Sequence, residues 1–251
     1  MTIVRTTFLP GHGGTRLAVH RLGSGRPVLL LHGLFSSAEV NWIKYGTAAQ
    51  LADAGFDCIM PDLRAHGQSD APHGASAYPP DVLVSDALAL VAALGLTDYD
   101  LAGFSLGART AVQAVVAGLA PRRLVLGGMG LEGLSGWARR SAHFVDAIDR
   151  FGSIERGDPA FDAQAFMKTV AVDRLAARQL LLSVADVSPE ALSRVTMPTL
   201  VVCGADDQDN GSAPALAAAL PQGYYAEVPG NHMSSVTKPE FGEAIARSLA
   251  A

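Results

Sequence analysis

Apolar residues arrive in short runs, "PVLLLHG", "FDCIMPD", "YDLAGFS", "RLVLGGM", "TLVVCGA" and "YYAEVPG", each closed by a turn signal and followed by a longer segment with helical spacing. Runs this short, apolar toward both faces and alternating with helices, predict β-α units around a buried parallel sheet. The opening stretch "IVRTTFLPGHGGTRLAVHRLGSG" instead alternates and bends through glycines, which predicts an antiparallel hairpin. The expected sheet is therefore mixed, with an antiparallel start. Helices are expected at about 46–54, at about 81–94 behind "YPP", where proline suits a helix start, and at about 106–117. In "KPEFGEAIARSLA", Phe241, Ile245 and Leu249 recur every fourth residue and form one apolar face for the sheet.

One stretch breaks the alternation. Leu131 to Met197, 67 residues, contains no comparable strand run and reads as helical, with Trp137, Phe144, Val145, Ile148 and Phe151 near one face of "GWARRSAHFVDAIDRFG". A crossover between parallel strands needs only about a dozen residues, so the surplus predicts a lid. The expected organisation is a core of residues 1–130 and 198–251 carrying a helical cap at 131–197.

Composition narrows the function. The net charge of −5, without a basic run, argues against a nucleic-acid partner. The longest apolar stretch, "LALVAALGL", is far short of the roughly 18 residues a bilayer crossing needs, and the N-terminus has no secretory pattern, so a cytoplasmic protein acting on a small molecule is expected. Cys58 and Cys203 sit singly inside apolar runs, as buried thiols; neither a disulfide, a metal site nor a cofactor is expected.

The candidate chemistry lies at the ends of predicted strands. In "GFSLG", Ser105 stands where a strand-like run meets a helix-like run; such a turn strains the serine, and Gly103 and Gly107 leave room for it. The Leu106 amide, first in the helix, would face a developing oxyanion. In "LLLHGLFSS", Gly33 lets the chain turn so that the Leu34 amide supplies a second donor, with His32 bracing the loop. A serine hydroxyl needs a base, and the base a carboxylate. His232 in "VPGNHMSS" follows the last strand; His12, His20, His66, His73 and His143 read as structural or exposed. The acid comes from Asp206, Asp207 or Asp209 in "GADDQDN", since the C-terminal ends of parallel strands share one edge.

Taken together, "LLLHG", "MPDLRAHGQSD", "GFSLG", "VVCGADD" and "PGNH" resemble, in order, the motifs of the α/β-hydrolase fold family, from about residue 15 to the end except for the insert. The resemblance implies a mostly parallel, eight-stranded sheet flanked by helices, with the cap before the last two strands. It implies Ser105 as nucleophile, His232 as base, and Asp207 as acid over its neighbours, with Asp209 as the nearby alternative and Glu132 as the acid used by members that carry it one strand earlier. It also implies that Asp62 and Arg64 brace the loop beside the site. A serine at the elbow disfavours the dehalogenases and epoxide hydrolases of this fold, which carry Asp there.

The function expected is hydrolysis of a small or medium apolar ester through an acyl-enzyme. Phe35, Trp137, Phe144 and Phe166 are the expected substrate contacts, with Trp42, Phe161 and Met167 as further apolar candidates. The alternatives are carbon–carbon hydrolysis of a diketone-like metabolite, or haloperoxidase-type peracid formation, with the same triad. A hydrolase-like receptor is a third, disfavoured by an intact Ser, Asp and His set.

Overall fold

A computed structural model describes residues 3–170 and 172–251; residues 1, 2 and 171, counted in the expected core and cap, lie outside the described residues. Eight strands form one sheet: β1 (Arg5–Pro10), β2 (Arg16–Gly23), β3 (Arg26–Leu31), β4 (Phe56–Pro61), β5 (Asp100–Phe104), β6 (Leu124–Gly127), β7 (Thr199–Gly204) and β8 (Gly223–Val228). Their order is β1-β2-β4-β3-β5-β6-β7-β8. The first hairpin pairs antiparallel, β2 continues antiparallel onto β4, and every pair from β4 to β8 is parallel.

The apolar runs become central strands because they are covered on both faces. Along β3, Val28 and Leu30 face one way, among Ala48 and Leu51 of α1 (Thr47–Asp53) and Phe241, Ile245 and Leu249 of α9 (Pro239–Ala250). Leu29 and Leu31 face the other way, among residues of α2 (Val82–Ala93), α3 (Leu106–Val116) and α8 (Ala213–Ala219). The period of two along the strand thus divides one apolar run between two cores. The helices fall within a residue or two of the expected segments.

Between β6 and β7 stand α4 (Leu131–Ser135), α5 (Trp137–Asp149), α6 (Phe161–Thr169) and α7 (Arg174–Ser183). Both ends of this insert are fastened to the core at Arg109 of α3, which is 1% exposed. Its guanidinium donates to the Gly133 carbonyl at one end and, at 2.9 Å, to the Ala185 carbonyl at the other, with the Trp137 ring 5.1 Å away. Burial pulls this arginine down to about 10, so it stays charged at neutral pH, with two carbonyls and a π face in place of a paired carboxylate. Asp81 assists: its amide donates to the Ser183 carbonyl at 2.6 Å, and its carboxylate accepts from the Ala185 amide at 2.9 Å. Among the described residues, no helix is long and apolar enough to cross a membrane.

Candidate active site

Strand β5 runs directly into α3, and the residue at the junction, Ser105, has φ 52° and ψ −111°. Such a backbone is costly for a residue with a Cβ and persists only where its surroundings enforce it. They do so on both sides: the Ser105 amide donates to the Gly127 carbonyl at 2.8 Å, and its carbonyl accepts from the Arg109 amide at 3.0 Å. The flanking glycines are obligatory for space. A Cβ on Gly103 would lie 2.2 Å from the Gly107 carbonyl oxygen, and one on Gly107 would lie 2.1 Å from the Leu31 carbonyl oxygen.

The loop after β8 carries His232, whose Nε2 lies 3.1 Å from the Ser105 Oγ. Its Nδ1 lies 2.9 Å from Oδ2 of Asp207, in the loop after β7. The Phe104 ring, at the last position of β5, packs against the imidazole with centroids 5.0 Å apart, so His232 is held by packing as well as by hydrogen bonds. Ser105 and His232 are each 7% exposed. Burial is the largest influence on Asp207 and pushes its carboxyl up. The hydrogen bond and charge of His232, the Asp209 amide and the Arg140 charge outweigh burial and hold it below the ordinary carboxylate range. Asp207 is therefore ionised at neutral pH and can fix the tautomer that presents a bare Nε2 to the serine.

The other acids stand elsewhere. Asp209 is exposed and donates its backbone N–H to Asp207 Oδ1 at 3.1 Å. Glu132, on α4, accepts from the Ser212 amide at 2.7 Å just before α8. Asp206 is exposed beside the strand end.

The loop after β3 lies against the elbow: a Cβ on Gly33 would be 3.5 Å from the Ser105 Cβ. The Gly33 amide donates to Asn41 Oδ1 at 2.9 Å and the Phe35 amide to His66 Nε2 at 3.0 Å, so of these three consecutive amides that of Leu34 alone has no partner among the described residues. The Leu106 amide opens α3, where helix geometry provides no partner.

A buried polar network holds this loop. His32 donates through Nδ1 to the Gly33 carbonyl at 2.8 Å and accepts the Leu63 amide at Nε2 at 2.9 Å. Asp62 accepts from the Ala38 amide at 2.9 Å, the Gln68 amide at 2.8 Å and His20 Nε2 at 3.1 Å. Arg64 lies one layer back, forked onto Asp86 at 3.0 and 2.7 Å and bonded to the His12 and Ala77 carbonyls. Asp62 thus touches the site loop itself, whereas Arg64 fastens the chain behind it.

A cavity of about 450 Å³ opens over Ser105 and His232. Among the described residues its lining contains no Asp, Glu, Lys or Arg; Leu34, Phe35, Phe166, Val170 and Val236 make it apolar, and Ser37, Asn41 and Thr169 add neutral polar groups. Of the expected contacts, Phe35 and Phe166 line it. Phe144 stands behind, edge-on to Phe35 with centroids 5.3 Å apart. Trp137 does not line it: its ring is 4% exposed beside Arg109, and its Nε1 donates to the Leu181 carbonyl at 3.1 Å. Trp42 packs on Phe241 instead, and Met167 is buried in the core. Asn41, Tyr45 and Met233 were not singled out by sequence reasoning, although they stand beside residues that were, in "NWIKYG" and "NHM".

A model described as the alpha/beta hydrolase fold matches residues 26–124. An epoxide hydrolase of Caballeronia sordidicola is 36% identical over 103 residues, which is 41% of this chain and 30% of the relative. An N-formylmaleamate deformylase of Pseudomonas putida is 33% identical over 160 residues, 62% of this chain and 56% of the relative. The chain thus matches from under a third to little more than half of the length of these relatives. Among solved structures, an esterase from a Rhodococcus species matches with a TM-score of 0.74 at 26% identity, covering 98% of each chain.

Proposed function

We propose that the chain, which matches an alpha/beta hydrolase fold model over residues 26–124, is a serine hydrolase of that fold cleaving an uncharged, largely apolar carboxylic ester through an acyl-enzyme. The observation that carries this reading is the run of hydrogen bonds from Asp207 through His232 to Ser105, at 2.9 and 3.1 Å, opening on a cavity whose lining, among the described residues, holds no Asp, Glu, Lys or Arg.

His232 Nε2 takes the Ser105 proton as Oγ attacks the ester carbonyl, and Asp207 stabilises the imidazolium that forms. The Leu34 and Leu106 amides receive the negative charge on the former carbonyl oxygen; losing one such donor typically costs about 3 kcal/mol of barrier. The imidazolium then protonates the departing alcohol, and a water activated by the same base releases the acid and restores Ser105. A volume of about 450 Å³ suits a small or medium ester.

A carboxylate on the substrate, as in the N-formylmaleamate of the deformylase relative's name, would lose its hydration and meet no cation in the lining. Epoxide opening does not follow from the epoxide hydrolase relative. Attack by a carboxylate leaves an ester that water cleaves, whereas attack by Ser105 would leave an ether that it does not.

The test is hydrolysis of p-nitrophenyl butyrate by the wild type and Ser105→Ala, with ethyl butyrate and monoethyl succinate compared by titration of released acid. Ser105→Ala is expected to lower turnover by about 10³-fold or more, and monoethyl succinate to react at least about tenfold more slowly than ethyl butyrate. Undiminished turnover in Ser105→Ala removes the mechanism, and equal rates on the two ethyl esters remove the substrate class.

A further inference from the structure

Asp209 stands two residues beyond Asp207 and is tied on both of its peptide sides. Its N–H donates to Asp207 Oδ1 at 3.1 Å, the oxygen that His232 leaves free. Its carbonyl accepts from Arg140 Nη1 at 3.1 Å, and its carboxylate lies 4.0 Å from Arg140 Nη2. Arg140 belongs not to the core but to α5 of the insert. Its guanidinium lies 5.8 Å from the centroid of Phe144, whose ring packs in turn on Phe35 in the cavity wall. One side chain of the insert therefore grips both the loop of the acid and the ring behind the cavity.

We propose that Arg140 is a positioning residue for Asp207: by holding Asp209 it aims the Asp209 N–H at one carboxylate oxygen and leaves the other for His232, so that the relay is complete only when α5 is seated. The proposal rests on the reading of Asp207 as the acid of a serine hydrolase. Without Arg140 the Asp209 peptide turns freely, Asp207 loses a donor, and the carboxylate rotates away from Nδ1. The charged and titratable groups around Asp207 are His232, Arg140 and Asp209, with the Cys203 thiol of β7, the Tyr225 hydroxyl of β8, and Asp206 on its own loop.

Two readouts separate positioning from mere support of the fold. In Arg140→Gln, kcat on p-nitrophenyl butyrate is expected to fall about tenfold with KM changed less than about twofold, because the relay is displaced while the cavity keeps its lining. The rate of fluorophosphonate labelling at Ser105 is expected to fall in the same proportion, because labelling draws on the same aligned relay. Arg140→Lys restores a donor to the Asp209 carbonyl and is expected to recover part of both losses. Arg178→Gln, which removes an exposed ion pair of the insert with Asp149, controls for loss of a surface arginine and is expected to behave as the wild type.

An unchanged kcat in Arg140→Gln overturns the proposal, as does a loss confined to KM. A fall in kcat that follows a lowered melting temperature, with no recovery in Arg140→Lys, also overturns it. Labelling with a fluorophosphonate keeps the two readings distinct. A wild type that fails to label at Ser105 defeats the hydrolase reading itself, whereas equal labelling rates in wild type and Arg140→Gln defeat the positioning role alone.

Discussion

Protonating His32 would break two arrangements at once. Its Nε2 accepts the Leu63 amide, and a proton there turns an acceptor into a second donor facing an N–H. The charge would also sit in a fully buried place, with the His66 ring 5.1 Å away. Burial first, and then His66, lower this imidazole from 6.5 to about 3, against the opposing pull of Asp62 and the Gly33 carbonyl. The folded protein therefore binds this proton far more weakly than the unfolded chain does. Below pH 6.5 the unfolded state gains the proton alone, and stability falls by about 1.4 kcal/mol per pH unit until the folded value near 3 is reached. Between pH 6.5 and 4.5 that is about 3 kcal/mol from His32, a large part of the 5–15 kcal/mol typical of a folded domain. His66, lowered chiefly by burial, adds to the loss with the same sign. Asp62 and Asp207 are both held below 3.8, so their contributions are kept throughout this interval and are lost only in stronger acid. Urea unfolding at pH 7.5, 6.5, 5.5 and 4.5 reads the slope directly. In His32→Gln, whose amide oxygen can still accept from Leu63, stability at pH 7.5 is expected to be about 2 kcal/mol lower, while the loss between pH 6.5 and 4.5 shrinks by about 3 kcal/mol. A wild type whose stability is flat across this range, or a variant that keeps the full slope, refutes the reasoning.

Two further outcomes concern the elbow. Gly107→Ala places a methyl 2.1 Å from the Leu31 carbonyl oxygen, backbone against backbone, and is expected to cost more than about 3 kcal/mol in urea unfolding; a cost below 1 kcal/mol would show that the elbow can widen. Ser105→Gly relieves the φ of 52° and is expected to abolish ester hydrolysis while stabilising the fold by about 1 kcal/mol, seen as a melting temperature raised by roughly 2–4 °C. A lowered melting temperature would mean that the site stores no backbone strain.

Much of the sheet was legible because its signals are local. A run such as "PVLLLHG" carries its own evidence of burial on both faces, and the Gly-rich bend between β1 and β2 declares a hairpin within a few residues. Strand order is a different kind of information: β2 pairs with β4 rather than with its neighbour β3, and nothing in the spacing reports that. The same limit governs the site. Ser105 and His232 are marked by the turns that hold them, but Asp207 and Asp209 lie on one loop, and only its fold decides which carboxylate meets the imidazole. On α5, periodicity put Trp137 and Phe144 on one apolar face, yet a face does not name what it packs against. Trp137 meets Arg109 and the inner core, while Phe144, two turns on, meets Phe35 behind the cavity.

The meeting of Gly133 and Ala185 on the guanidinium of Arg109 has an evolutionary consequence. A segment that leaves and re-enters a domain within the reach of one side chain is a cassette: its replacement leaves the surrounding strand pairings untouched, as domain insertions at closely spaced points generally do. New substrate ranges can then be sampled by exchanging the helices between those points while the elbow, fixed by its backbone contacts, is inherited unchanged. Such exchange would have one constraint. On the proposed role of Arg140, the incoming segment must again extend a donor to the Asp209 carbonyl, so what is transferable would be the inserted segment together with its arginine, not the helices alone.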